Sequence, residues 1–378
     1  MRAGIYIHIP FCKSRCIYCG FYSTTMAELH DKYTDCVIRE IGMRKNEIDL
    51  FAQNSEICHI NTLYIGGGTP STVSTCNVSR IIRAIYDMYP CDIHEITVEV
   101  NPDDVTKEYI SELKQNGVSR ISMGIQTFDD QRLHFLRRRH TALQAKEAVT
   151  TIRESGIDNV SIDLMFGFPN ETIEQWQSDL DTAVALSPSH ISAYSLMYEE
   201  GTPLYEMVRK GKITQCDEEL SLAMYTTLLD TLTSNGYEHY EISNFALPGK
   251  RSIHNSSYWN DTPYLGFGAS AHSYNKTTRS WNVADIKEYI KNIEQGILPS
   301  EREIIDDDTH YNDMITTALR TKEGIDTSKL KPKYRDYILC NAQLSISSGL
   351  LELNGTHLHL TRKGIFVSDM IMSDLMIV

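Results

Sequence analysis

Residues 11–21 read FCKSRCIYCGF and place Cys12, Cys16 and Cys19 on one short stretch, with spacers of three and two residues. Deprotonated thiols are soft metal ligands, so three on one loop can converge on a single inorganic centre. Structural zinc wants four closed ligands, commonly two separated pairs, and neither a second pair nor a histidine at finger spacing follows. Iron–sulfur clusters also take four cysteines as a rule. A three-thiolate loop therefore leaves one iron open to an outside ligand, which a small molecule with an amine and a carboxylate could chelate. Cys36, Cys58, Cys76, Cys91, Cys216 and Cys340 are scattered singly and read as packing residues.

Other stretches carry chemistry of their own. Gly66, Gly67 and Gly68 in GGGTPS let backbone approach a ligand without Cβ obstruction, and their amides can pair with its carboxylate. Glu99 ends the otherwise apolar EITVEV, where a buried carboxylate needs a cationic partner. Gln126 closes RISMGIQ, Asp163 lies late in VSIDLMFGFP, and Arg138 sits in RRRH. Tyr18, between the second and third cysteines, can stack on a ligand or cover the cluster. His254 in HNSSYW offers an imidazole, the common proximal heme ligand, with Tyr258 and Trp259 as flat faces for a macrocycle.

These residues need elements to hold them. Short apolar runs rich in β-branched residues recur as GIYIHIP, TLYIGGG, EITVEVNP, RISMGIQTF, VSIDLMFGFP and HISAYSL. Helical periodicity over 29–43, 78–89, 142–154 and 173–186 separates them, which predicts a parallel sheet with crossover helices. Six such units make a partial (β/α)6 TIM-like barrel, with an open doubly wound sheet as the alternative. In a parallel barrel the strand ends share one face, where active sites are built. The cysteines follow strand one and GGGTP follows strand two. Glu99, Gln126 and Asp163 close or nearly close the next three.

The expected organisation is a barrel over residues 1–235, a segment packed on it over 236–300, and a C-terminal α+β winged-helix-like domain over 301–378. The middle segment is dense in aromatics, Asn, Ser and Gly, and EREIIDDDTH reads as a linker. Helices are expected near 311–319 and 337–348, then a hairpin in LLELNGTHLHLT with Asn354-Gly355 supplying positive φ. Lys+Arg 36 against Asp+Glu 50 gives a formal charge of −14, which disfavours nucleic acid as a partner. No apolar run reaches membrane-spanning length and the N-terminus reads as a strand, so a cytoplasmic protein without a transmembrane segment is expected.

On these blocks the chain resembles the coproporphyrinogen oxidase branch of the radical SAM proteins, and within it the heme chaperones. IYIHIPFCKSRCIYC, GGGTPS, EVNPDD, SMGIQTF, SIDLMFGFP, EISNFA, HNSSYW and YLGFGASAHSY stand where that family has its blocks, over nearly the entire chain. The resemblance implies a [4Fe-4S] cluster on Cys12, Cys16 and Cys19, with S-adenosylmethionine completing the open iron. It assigns Tyr6, Gly67, Gly68, Thr69 and Glu99 to that cofactor. Gln126, Arg138 and Asp163 match positions that mostly serve a second cofactor molecule in the oxidases. The implied chemistry is one-electron reduction of the sulfonium, giving methionine and a 5′-deoxyadenosyl radical.

Phe21 stands where the oxidases carry a further cysteine, and little chain precedes Tyr6. Together with His254 these features favour a heme chaperone. It would bind cluster, S-adenosylmethionine and heme, take heme from a bacterioferritin-type donor and deliver it to membrane-bound respiratory proteins, working in the cytoplasm or peripherally at the inner membrane. The alternative is an oxygen-independent coproporphyrinogen III oxidase. A radical SAM enzyme acting on RNA is a third reading, without a basic patch to carry it. The residues leave open whether the cofactor is cleaved.

Overall fold

The computed structural model describes residues 1–51 and 57–377. Six parallel strands lie side by side in chain order: β1 (Arg2–Ile9), β2 (His59–Gly67), β3 (Cys91–Val100), β4 (Arg120–Gln126), β5 (Asn159–Phe166) and β6 (His190–Ser195). Their side chains alternate between two chemistries, as the two-residue period of a strand requires. Ile5, Ile7, Leu63, Val98, Ile121 and Ile162 face the helices and join the main core. The intervening positions, including Tyr6, Tyr64, Glu99, Ser122 and Asp163, face the concave side. A partial barrel results, apolar outside and polar within.

The crossover helices are α1 (His30–Met43), α2 (Thr75–Met88), α3 (Lys107–Gln115), α4 (Asp130–Phe135), α5 (Ala142–Glu154) and α6 (Ile173–Leu186). Capping boxes start α5 (Thr141 with Gln144) and α6 (Thr172 with Gln175), so both begin where sequence periodicity places them. Helices α7 (Pro203–Arg209) and α8 (Glu218–Ser234) follow β6.

The stretch after residue 235 lengthens the sheet at both edges. Beyond β6 lie β8 (Asn244–Ala246) and then β7 (Glu238–Glu241), each antiparallel to its neighbour. Helix α9 (Ile253–Trp259) then packs against β2. Beyond β1 stand β9 (Tyr264–Phe267), parallel to it, and the antiparallel β10 (His272–Tyr274), β11 (Thr278–Asn282) and β12 (Ser300–Ile304). Residues 301–304, expected as linker, belong to β12, and the acidic run beyond them opens a helix, Asp307–Ala318. Every residue of β12 is exposed, so no buried face marks it in the sequence; charges on an edge strand also discourage pairing with another chain.

A second hydrophobic cluster built on Tyr311, Ile315, Ile338, Leu358 and Ile371 organises the C-terminal part around β13 (Ile325–Asp326), β14 (Leu351–Asn354) and β15 (His357–Leu360). Asn354 pairs with His357, so the hairpin turn is Gly355-Thr356 and Gly355 alone takes positive φ, 62°. This unit grips the sheet edge through Arg320. Its guanidinium pairs with the buried Glu241 at 2.8 Å and lies over the Trp259 ring, 5.1 Å from its centroid. Among the described residues no helix is long and apolar enough to cross a membrane.

Candidate cluster and cofactor cleft

The cysteine loop leaves β1 at Pro10 and is clasped at its base. Cys12 N–H donates to the Thr24 carbonyl (2.8 Å), and Thr24 N–H returns to the Pro10 carbonyl (2.6 Å). The Phe11 ring, buried edge-on against Tyr33, anchors the same point. Lys13 reaches out of the loop to Asp104 (2.6 Å), whose side chain is 2 % exposed and also accepts from Ser71 (2.8 Å). Two donors address the sulfurs: Thr69 Oγ1 lies 3.5 Å from Cys12 Sγ, and Arg138 Nη1 lies 3.7 Å from Cys16 Sγ. Burial raises the Cys19 thiol, so an electropositive centre is needed to hold its thiolate.

The glycine turn closes on the loop from β2. Gly67 has φ 116°, and a Cβ there would stand 2.7 Å from the His8 ring. A Cβ on Gly68 would meet the Phe11 carbonyl at 2.8 Å and Cys12 Sγ at 3.1 Å. In this structure the amides of the turn find partners within the chain. Gly67 N–H donates to Glu99 Oε2 (3.0 Å), Gly68 N–H to the Ile9 carbonyl (2.8 Å) and Thr69 N–H to the Phe11 carbonyl (2.7 Å). What these glycines contribute is close approach.

Glu99 accepts from Tyr64 as well (2.7 Å), and among the described residues it makes no ion pair. Burial pushes its carboxyl up to about 7 against the pull of the Tyr64 bond. Asp163 is raised by burial to about 6, with Arg120 the largest opposing influence. Arg138 donates to Asn101 Oδ1 (2.8 Å) and the Gly124 carbonyl, which fixes its guanidinium between cluster loop and strand end. Gln126 holds positive φ, 74°, an unusual conformation for a non-glycine residue.

A cleft of about 420 Å³ gathers these groups. Cys12, Cys16, Cys19, Tyr18, Gly67, Gly68, Thr69, Glu99, Gln126, Arg138 and Asp163 all line it. Sequence reasoning overlooked Tyr64, Asn101, Ser122, Ser192 and Tyr194, which line it too. The signal for three of them was parity: Ser122 lies four residues before Gln126, Ser192 pairs with Asp163 across the sheet, and Tyr64 precedes Gly66 by two.

Tyr6 and His254 lie outside that lining. The Tyr6 hydroxyl bonds His8 Nδ1 (3.0 Å), and His8 Nε2 must donate to the Tyr22 carbonyl (3.1 Å), so this neutral imidazole ties β1 to the end of the cysteine loop. His254, expected as a heme-related residue, is enclosed in this structure. Its ring is 1 % exposed, with Nδ1 bonded to Thr62 Oγ1 and Nε2 to the Tyr258 hydroxyl, both at 2.8 Å. Burial drives it to about 3, hence neutral. Both ring nitrogens are thus engaged inside the fold. Only Asn255 of that motif reaches the cleft.

The donor set suits a cluster better than a lone ion. Among the described residues no three cysteine, histidine or carboxylate side chains close on a single-ion site. A cubane spreads its thiolate ligands over separate irons, so three thiols along one cleft wall can still hold it.

Sheet, cysteine loop and cleft define a radical SAM protein. The sequence model of the radical SAM superfamily matches residues 6–183, and that of the HemN C-terminal domain matches 305–367. The relative described as heme chaperone HemW of Lactococcus lactis is 34% identical over 95% of this chain and 93% of its own. That of Bacillus subtilis is 34% identical over 87% and 86%. The structure of coproporphyrinogen III oxidase (HemN) from Escherichia coli superimposes with a TM-score of 0.83 over 99% of this chain and 89% of its own, at 23% identity, which speaks for the fold alone. The chain belongs to the HemW family.

Proposed function

We propose that this protein is a heme chaperone that carries a [4Fe-4S] cluster on Cys12, Cys16 and Cys19 and binds S-adenosylmethionine beside it. The observation that carries the reading is the convergence of these thiols, the close-approach turn at Gly67 and Gly68, and Glu99 on one cleft, in a chain of the HemW family. The cluster would supply one-electron reduction when bound. The chain's own residues do the rest. Thr69 and Arg138 direct donors at two sulfurs, Tyr64 aims the Glu99 carboxylate, and Tyr18 packs across the cleft wall.

Heme carriage is supported by the cleft mouth and not by His254. Phe21 is 72 % exposed and Met197 61 % exposed, and both line the cleft with Tyr194. Arg15 and Arg137 line it as well and make no ion pair among the described residues, with Glu199 the one carboxylate at the rim. Apolar faces beside free guanidinium groups match a flat macrocycle bearing carboxylates. Transfer to membrane-bound respiratory proteins follows from the chaperone reading. Anaerobic cluster reconstitution, heme titration and a parallel assay of coproporphyrinogen turnover test it. Heme binding without decarboxylation is expected; decarboxylation without heme binding refutes it.

A further inference from the structure

Arg120 opens β4 and is 1 % exposed, yet its Nε and Nη1 hydrogens meet no acceptor, and it forms no ion pair among the described residues. A guanidinium buried without a partner is costly, so its retention at this depth needs a reason. Strand alternation puts it on the same face as Ser122, Gly124 and Gln126, all of which line the cleft. Register sets it level with Thr97 of β3 and Asn159 of β5, while Glu99 stands level with Ser122 and Asp163 with Gly124. Arg120 therefore lies below the two cleft carboxylates on the same face, one layer beneath Glu99 and two beneath Asp163.

Six groups feel its charge: Tyr64 of β2, Glu99 of β3, Asp163 of β5, His190 of β6, Tyr240 of β7 and His254 of α9. Glu95 lies on the same face of β3, two residues before Thr97. Most are already committed. Glu95 accepts from Ser252 Oγ and from the Ile253 and His254 amides at 3.0–3.3 Å, capping α9. His190 and His254 are bonded at both ring nitrogens and held neutral by burial. Tyr240 bonds His190 at 2.7 Å. Glu99 and Asp163 remain as the carboxylates that gain from a cation below.

We propose that Arg120 is a positioning residue, a buried countercharge shared by Glu99 and Asp163 that favours their ionised forms at the cleft floor. Two carboxylates over one guanidinium leave that floor net negative, which draws in a ligand carrying an ammonium or sulfonium group. This rests on the reading of the cleft as a cofactor site.

The test compares wild type, Arg120→Met and Arg120→Lys. In apo-protein, the infrared stretch of protonated carboxyl groups is followed through a pH titration, with Glu99→Gln and Asp163→Asn assigning the bands. Arg120→Met should titrate about one pH unit higher or more, and Arg120→Lys should restore the wild-type midpoint. In cluster-loaded protein near neutral pH, Arg120→Met should bind S-adenosylmethionine ~10-fold more weakly and regain affinity as pH is raised. A purely structural role would lower the melting temperature and leave the midpoint in place. An unshifted titration in folded Arg120→Met overturns the proposal. If that variant does not fold, wild type decides: bands of Glu99 and Asp163 persisting above about pH 8 overturn it. Failure of wild type to bind the cofactor would remove the site reading, while the infrared titration still judges Arg120.

Discussion

Tyr64 donates its hydroxyl to Glu99 across 2.7 Å while its ring lies stacked on the buried imidazole of His254, 5.1 Å between centroids. The HNSSYW helix, which lines the cleft directly only at Asn255, thus also bears on it indirectly. Its histidine backs the tyrosine that holds the carboxylate, and its tryptophan takes the Arg320 guanidinium from the C-terminal unit.

Tyr64→Phe keeps the stack and removes the hydrogen bond. That bond favours the ionised carboxylate, so its loss raises Glu99 further above about 7. Binding of S-adenosylmethionine should weaken by about 1 kcal/mol, roughly fivefold, in equilibrium dialysis near neutral pH. Unchanged affinity would show that Tyr64 does not prepare Glu99.

Stability should respond to pH through the same group. A carboxyl raised in the folded state contributes stability below its unfolded value, and that contribution is lost as pH rises through the folded one. For Glu99 the window runs from the ordinary carboxylate range to about 7. Between about pH 4 and pH 8 the stability difference should move in favour of Glu99→Gln over wild type, by roughly 1–3 kcal/mol. Denaturant melts of apo-protein at both ends measure it, and a difference that stays constant contradicts the burial of this charge.

Replacement of His254 should cost the fold and not the heme site. His254→Ala leaves Thr62 and Tyr258 short of a partner and empties a buried ring volume, a loss of roughly 2–4 kcal/mol. The heme spectrum of the folded fraction should keep the wild-type Soret position. A displaced Soret band at unchanged stability would mean that the imidazole opens to iron.

The rim makes a complementary prediction. Replacing Met197 with Ala or Arg137 with Gln removes an exposed apolar face or an unpaired cation without disturbing the core. Each should weaken heme binding several-fold in titration and leave the melting temperature within about 1 °C. Wild-type heme affinity in both variants would move the heme site elsewhere.

Much of this arrangement is legible in the sequence, for reasons that differ by residue. Thr141 with Gln144 and Thr172 with Gln175 are local signals, so α5 and α6 emerge with their observed limits. The cysteine spacing and the strand-end placement of Glu99 and Gln126 are local too. Tyr64 escapes notice because TLYIGGG reads as a core strand, and its hydroxyl partner lies on the neighbouring strand. The enclosure of His254 is hidden for the opposite reason: the motif looks ligand-bearing, and only packing against Thr62, Tyr64 and Tyr258 shows the ring to be buried. The amides of Gly67 to Thr69 look free in the sequence and are claimed by Glu99 and by the backbone at the end of β1. Arg120 passes as the start of RISMGIQ, since no sequence pattern reveals an arginine turned inward. The exposed β12 has no apolar alternation to mark it.

Every role proposed above depends on three cysteines holding a cluster whose remaining iron takes an outside ligand. Mössbauer spectroscopy of the reconstituted, iron-57-enriched protein, with and without S-adenosylmethionine, tests it most directly. The cofactor should shift the signal of a single iron, Glu99→Gln should blunt this shift, and Cys16→Ala should lose the cluster. A cluster that survives in Cys16→Ala, or whose irons are all indifferent to S-adenosylmethionine, would contradict it.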